Sequence, residues 1–176
     1  MEYLKKFIKD VPDFPKKGII FRDITSLLEY PSAFREVVSR LAANWKGRAD
    51  AIAALDARGF IFGSALALEL GVPLILMRKK GKLPRKTVSV SYGLEYGTDV
   101  LEAHVESVRP GMRVLVVDDL LATGGTALSA CSLIERLGAE VAGCAFVIEL
   151  EGLPGRAALK DYQVDSLVKY KEKANE

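Results

Sequence analysis

Soft metal-binding side chains are scarce in this 176-residue sequence, which has two cysteines and one histidine. That is fewer soft donors than a built metal centre needs. Cys131 and Cys144 both sit among apolar neighbours, so they are expected as buried thiols without a disulfide. The lone His104 is given no role. No apolar run approaches the roughly 20 residues that cross a bilayer, and the opening "MEYLKKFIKDVPDFP" mixes charges without an apolar h-region. The formal charge of +2 is too small to indicate a nucleic acid or membrane partner, and the expected location is the cytoplasm. Repeats, low-complexity tracts and Gly/Ser linkers are also missing. Gly-x-Gly occurs nowhere, which excludes the dinucleotide fingerprint, and no Gly-x4-Gly-Lys-Ser/Thr exists to form a P-loop.

An apolar share of 49% and this length describe one domain, 1–176, with a sizeable core. Pro31 to Trp45 places Phe34, Val37, Val38, Leu41 and Trp45 on one helical face, with the proline in the first turn. "AIAAL" (51–55), "PLILM" (73–77), "RVLVV" (113–117) and "VAGCAFVIEL" (141–150) are expected as buried strands. "TVSVSY" (87–92) alternates as a half-exposed strand does. Helices are expected over 60–70, stopped by Gly71, and from Thr126 to Leu137, ended by Gly138. The last residues, "KYKEKANE", look like a solvated tail. Strands alternating with helices predict an α/β fold, a central mostly parallel sheet flanked by helices. Ligands of such sheets bind at the carboxyl ends of the strands.

One stretch concentrates chemistry at such an end, "VLVVDDLLATGGT" (114–126). Four apolar residues run into Asp118 and Asp119, and a small, hydroxyl-bearing loop follows. Ala122, Gly124 and Gly125 leave room for backbone N–H groups to turn inward, and Thr123 and Thr126 add hydroxyl donors. An anion nest at a helix N-terminus results, and a phosphate fits it. The carboxylates repel that phosphate, but they can accept hydrogen bonds from the vicinal hydroxyls of a sugar. Nest and diol acceptors together describe a ribose 5-phosphate. Elsewhere, "LDARGF" sets Arg58 just after a buried strand, a position suited to a multiply charged phosphate or to an ion pair with Asp56. "RKKGKLPRK" (78–86) gathers six cations around Gly81 and Pro84, as a shaped loop does. Gly93 and Gly97 flank Leu94-Glu95-Tyr96, which suits either a closing loop or an ordinary hairpin.

The 114–126 run resembles the signature of the type I phosphoribosyltransferases. "DFPKKGIIFRDIT" (13–25), "ARGFIFG" (57–63), "RKKGKLP" (78–84) and "SYGLEYGTDVLEAH" (91–104) narrow the likeness to the adenine branch of that family. The resemblance implies the type I fold, with a small base-binding hood over about 1–30 and a flexible catalytic loop over about 80–104. It implies transfer of 5-phosphoribosyl from phosphoribosyl pyrophosphate to adenine N9, giving AMP and pyrophosphate with inversion at C1′. Arg58 and Lys82 then bind the pyrophosphate, and the peptide before Arg58 is strained or cis. Arg78 acts across the interface of a homodimer. Glu95 and Tyr96 close over the substrates, with Glu95 positioned for the proton at N7. The main chain around Ile20 and Arg22 reads the base, Phe21 stacks on it, and Leu120 packs on its other face. Mg²⁺ arrives with the phosphoribosyl pyrophosphate and has no dedicated protein ligands.

Two other readings stay open at this point. One is a phosphoribosyltransferase for another base, which "GIIFRDIT" and "LEYGTD" argue against. The other is a regulator that binds phosphoribosyl pyrophosphate without catalysis, for which a helix-turn-helix finds no room beside the core.

Overall fold

The computed structural model describes residues 1–94 and 97–172. The chain starts with a 3-10 turn, Glu2–Phe7, and continues into β1 (Lys9–Pro12), β2 (Ile20–Asp23) and the short α1 (Thr25–Leu28). Strands β1 and β2 pair antiparallel as a separate two-stranded ribbon. One set of contacts fastens this N-terminal segment internally, and another fastens it to a strand near the chain's end. The Ser26 hydroxyl donates to the Phe7 carbonyl (2.7 Å) and accepts the Lys9 N–H (3.0 Å). The N-terminal ammonium donates to the Leu167 carbonyl at 2.8 Å.

Helix α2 (Pro31–Trp45) has the extent its periodicity predicts, and Val37, Val38, Leu41 and Trp45 are buried. Phe34 is only partly buried and meets Phe62 edge-on, ring centres 5.7 Å apart. The remaining elements are β3 (Ala51–Leu55), α3 (Gly59–Leu70), β4 (Leu74–Lys79), β5 (Thr87–Leu94), β6 (Gly97–His104), β7 (Arg113–Leu121), α4 (Gly125–Arg136), β8 (Glu140–Glu151), α5 (Gly155–Ala158) and β9 (Val164–Lys171). The main sheet has seven strands in the order β5-β6-β4-β3-β7-β8-β9. Its β4-β3-β7-β8-β9 portion is parallel, and the β5–β6 hairpin adds antiparallel at the β4 edge.

Alternating side chains of the central strands feed two cores. Leu115 and Val117 of β7 join Trp45, Phe62 and Val147 on one face; Val114 and Val116 join Ile134, Phe146 and Leu159 on the other. Covering both faces buries β3 completely, as expected of a parallel strand between helical layers. Cys131 and Cys144 lie in the second core as free, buried thiols, sulfur atoms 3.5 Å apart.

Three segments differ from the sequence expectation. Within the stretch foreseen as a loop over 80–104, the strand expected at 87–92 is β5 (Thr87–Leu94), and the unforeseen β6 (Gly97–His104) pairs with it. Glu102 disguises β6: this buried acid accepts the Gly81 N–H at 3.0 Å and breaks the apolar alternation. The foreseen solvated tail begins inside β9, where Lys169 to Lys171 pair with β8 and Tyr170 is buried. Helix α4 begins at Gly125, one residue earlier than predicted.

Candidate active site

Strand β7 carries its apolar run to Val117 and then delivers Asp118 and Asp119 at the carboxyl edge of the sheet. The strand goes on to Leu121, and the chain then turns into α4. Gly124 makes this turn possible with a φ of 82°, a left-handed conformation that a side chain disfavours. Around the turn lies a cavity of about 100 Å³, lined by Asp118, Leu120, Phe146 and the run from Leu121 to Ala127. All five nest residues, Ala122, Thr123, Gly124, Gly125 and Thr126, thus share one cavity with Asp118 and Leu120. It opens at the N-terminus of a twelve-residue helix, where unpaired N–H groups and the helix dipole attract an anion.

The two aspartates differ in environment. Asp119 is 3% exposed and accepts the Arg58 Nε at 2.5 Å. Asp118 keeps part of its surface, and its Oδ1 accepts the Asp119 N–H at 2.8 Å. Desolvation, and then the neighbouring Asp119, hold the Asp118 carboxyl well above the usual carboxylate range. Two carboxylates side by side at a strand end store repulsion that a cationic ligand relieves.

Arg58 caps α3 immediately after β3. Its guanidinium lies 5.2 Å from the Phe21 ring centre, and Phe14 meets Phe21 edge-on at 5.2 Å. Phe21, Arg58 and Asp119 therefore form a continuous line from the hood to the sheet. The ion pair with Asp56 weighed for Arg58 is made by Arg78 instead, Nε to Oδ2 at 3.1 Å. The cis peptide falls at Asp56–Ala57, one bond upstream of the peptide that precedes Arg58. Close approach at this corner depends on Gly59, where a Cβ would lie 2.8 Å from both Asp118 Oδ1 and the Val117 carbonyl.

Other predicted residues lie further out. Arg78 also donates to the Lys82 carbonyl at 3.3 Å and rests 5.8 Å from the Phe60 ring centre, while Lys82 is exposed. Ile20 is exposed on β2. The Arg22 side chain turns away from the cavity, to Asp10 (2.6 Å) and Glu172 (2.7 Å), and stacks on Tyr170 at 4.3 Å. Its main chain stays in β2. Glu95 and Tyr96 lie outside the described residues. Sequence reasoning missed Asp56 as the partner of Arg78, and it missed the pairing of Glu149 with Arg156 beside the nest. The signal available for the latter was the small, proline-bounded "LPGRAAL" after β8.

Comparisons with known proteins agree with this fold. The family model described as "Phosphoribosyl transferase domain" matches residues 24–175. The adenine phosphoribosyltransferase of Nitrosococcus oceani is 55% identical over 171 residues, 97% of this chain and 100% of its own length. That of Methylococcus capsulatus is 54% identical, also over 97% and 100%. Among solved structures, the adenine phosphoribosyltransferase of Thermoanaerobacter pseudethanolicus superposes with a TM-score of 0.93 at 50% identity, covering 96% of this chain and 99% of that one. The Saccharomyces cerevisiae enzyme, solved with adenine and an imino-altritol bisphosphate, gives a TM-score of 0.90 at 36% identity, with coverage of 94% and 97%.

Proposed function

Because this chain belongs to the phosphoribosyl transferase family, as an adenine phosphoribosyltransferase, we propose how its own residues divide the transfer. The observation that carries the assignment is the single cavity shared by Asp118, Leu120 and the Ala122–Thr126 nest. The nest takes the 5′-phosphate of phosphoribosyl pyrophosphate on the N–H groups and hydroxyls at the head of α4. Asp118 and Asp119 accept the ribose hydroxyls. As the bond from C1′ to pyrophosphate lengthens, the ribose gains oxocarbenium character and the leaving group gains negative charge. The two carboxylates favour the first change; Arg58 and Lys82 favour the second.

Phe21 stacks on adenine, and Leu120 covers its other face. Strand β2 has β1 as its only strand partner among the described residues, so its second edge can offer backbone groups. Around Ile20 and Arg22 that edge supplies a C=O for N6 and an N–H for N1. The ion pairs of the Arg22 side chain suit this division, because they hold the strand from behind. Adenine N9 attacks C1′ from the face opposite the pyrophosphate, and the anomeric centre inverts. Glu95 and Tyr96 close over the reacting groups, with Glu95 positioning the proton at N7.

Among the described residues no group of three or more His, Cys, Asp or Glu side chains could hold a metal ion. Two adjacent carboxylates and open phosphate sites fit Mg²⁺ that enters on its substrate, since this ion keeps waters and phosphate oxygens as ligands. When bound it supplies charge neutralisation at the pyrophosphate. Arg78, held between Asp56 and the Lys82 carbonyl, is assigned to the partner subunit's pyrophosphate in a homodimer; sedimentation as a monomer would remove that assignment.

Thr126→Val tests the nest. It keeps the side-chain shape and deletes one donor, so calorimetry is expected to give about tenfold weaker binding of phosphoribosyl pyrophosphate, the loss of one charge-assisted hydrogen bond. Unchanged affinity would mean that the phosphate binds elsewhere.

A further inference from the structure

The phosphate nest is built on backbone, and backbone needs a backstop. That backstop is α5. A Cβ on Gly155 would lie 2.3 Å from the Ala122 carbonyl and 2.9 Å from the Leu121 side chain; one on Gly124 would lie 2.9 Å from the Gly155 carbonyl. Main chain therefore packs closely on main chain between α5 and the 121–124 loop, with the Leu121 and Ala158 side chains at the same contact. Four residues of helix cannot hold that position by themselves, so something else has to fix them.

Two anchors do. Leu159, just past the helix, is fully buried in the second core. Arg156, next to Gly155, forks onto Glu149, with Nε to Oε1 at 2.7 Å and Nη2 to Oε2 at 2.6 Å. Its remaining donors reach the Val164 carbonyl (3.3 Å) and Ser166 Oγ (3.4 Å) on the β9 side. Glu149 is 4% exposed and also accepts the Ser166 hydroxyl. In the sheet it lies beside Leu121, the last residue of β7 before the nest. Arg156 and then burial are the leading influences on this carboxyl, and the net effect holds it below its usual range. The fork thus ties the helix that supports the loop to Glu149 of β8, which pairs with the last residue of β7, and to the opening residues of β9.

We infer that Glu149 and Arg156 are positioning residues for the 5′-phosphate: their bidentate ion pair presses α5 against the 121–124 backbone and keeps the nest in its binding shape. Neither side chain touches substrate. The inference rests on the assignment of the phosphate to residues 122–126. Its chemistry predicts a selective defect, because no hydrogen bond or ion pair links the adenine-facing segment to this pair among the described residues, and the ribose-facing carboxylates lie within β7, where Asp118 pairs with Phe146 of β8.

The experiment compares Arg156→Ala, Arg156→Lys and Thr126→Val in the full-length protein. Steady-state kinetics, binding of ribose 5-phosphate by calorimetry and thermal melting are measured for each. Arg156→Ala is expected to raise the KM for phosphoribosyl pyrophosphate about tenfold and to weaken ribose 5-phosphate by a similar factor, as loss of a preorganised charge-assisted fork implies. Its kcat should stay within about twofold, with the KM for adenine unchanged, the pattern of lost ground-state binding. Arg156→Lys keeps the charge without the fork and is expected between wild type and alanine, which keeps the question open if the alanine variant fails to fold. Weakened binding in Thr126→Val with none in either Arg156 variant would overturn the positioning role alone. No effect in Thr126→Val would overturn the phosphate assignment beneath it. Equal losses in every kinetic parameter, tracking the melting temperature, would make the pair a general stabiliser and overturn the inference.

Discussion

Replacing both Asp118 and Asp119 by asparagine is expected to lower kcat by on the order of 10³-fold, with a smaller loss for each single change. Asparagine keeps the shape and one acceptor oxygen, so the ribose hydroxyls still find partners. The negative charge beside a ring that becomes cationic is what disappears, and preorganised electrostatics of this kind is worth about 10²–10³ in rate for a single group. The two singles should not add, because the carboxylates share one environment: the Asp119 N–H donates to Asp118, and Arg58 is bound to Asp119. Rapid-quench measurement of the chemical step reads the effect. A double variant within about tenfold of wild type would remove the carboxylates from the transition state.

Asp118→Asn by itself should move stability in the opposite direction. Burial and Asp119 hold the Asp118 carboxyl above its usual range, so the folded chain binds this proton more tightly than the unfolded one. Stability contributed by the site is therefore greatest below the ordinary carboxylate value and falls as pH rises through the raised one. Asp118→Asn lacks that dependence. Its melting temperature should exceed that of the wild type at neutral pH, and the difference should shrink on acidification. A site selected for function at some cost in stability has this signature.

Arg58→Ala is the second large effect, expected to reduce kcat/KM by about 10²–10³-fold. Arg58 links three parts of the site, through Asp119 at 2.5 Å and the Phe21 ring at 5.2 Å. Its removal leaves the buried Asp119 carboxylate without its cation, and it takes away the charge assigned to the departing pyrophosphate. Arg58→Lys should recover only part of the activity, because an ammonium cannot hold a carboxylate and a phosphate oxygen in one planar fork. The reverse reaction is the sharper readout: pyrophosphate affinity, measured with AMP as co-substrate, should fall with kcat. If it stays at the wild-type value, Arg58 serves the architecture of the corner and not the leaving group.

Residue patterns exposed the parallel framework and one candidate site, and they hid two strands of the main sheet. The Asp118–Thr126 run was legible because it breaks local rules, with two acids closing a buried strand and glycines opening a helix, and such breaks mark sites. The parallel strands were legible as short apolar runs. The hairpin strand β6 was not, because buried Glu102 and His104 interrupt its alternation for reasons that lie on neighbouring elements. Strand β9 was hidden among lysines: Tyr170 is buried beneath Arg22, a residue nearly 150 positions away in sequence, and no local pattern carries that contact. The Glu149–Arg156 fork escaped for a related reason. Its meaning depends on the close packing of α5 against the nest backbone.

In the proposed function, this site joins adenine to a phosphoribosyl group held by the nest and the two carboxylates. The most direct test is one panel in which the protein, Mg²⁺ and phosphoribosyl pyrophosphate are mixed with adenine, hypoxanthine or guanine, and nucleotide and pyrophosphate are both quantified. The prediction is AMP and pyrophosphate in equal amounts from adenine, with the two 6-oxopurines near background, because they present the β2 edge with the opposite donor and acceptor pattern at positions 1 and 6. Comparable turnover of hypoxanthine, or release of pyrophosphate without AMP, would contradict it.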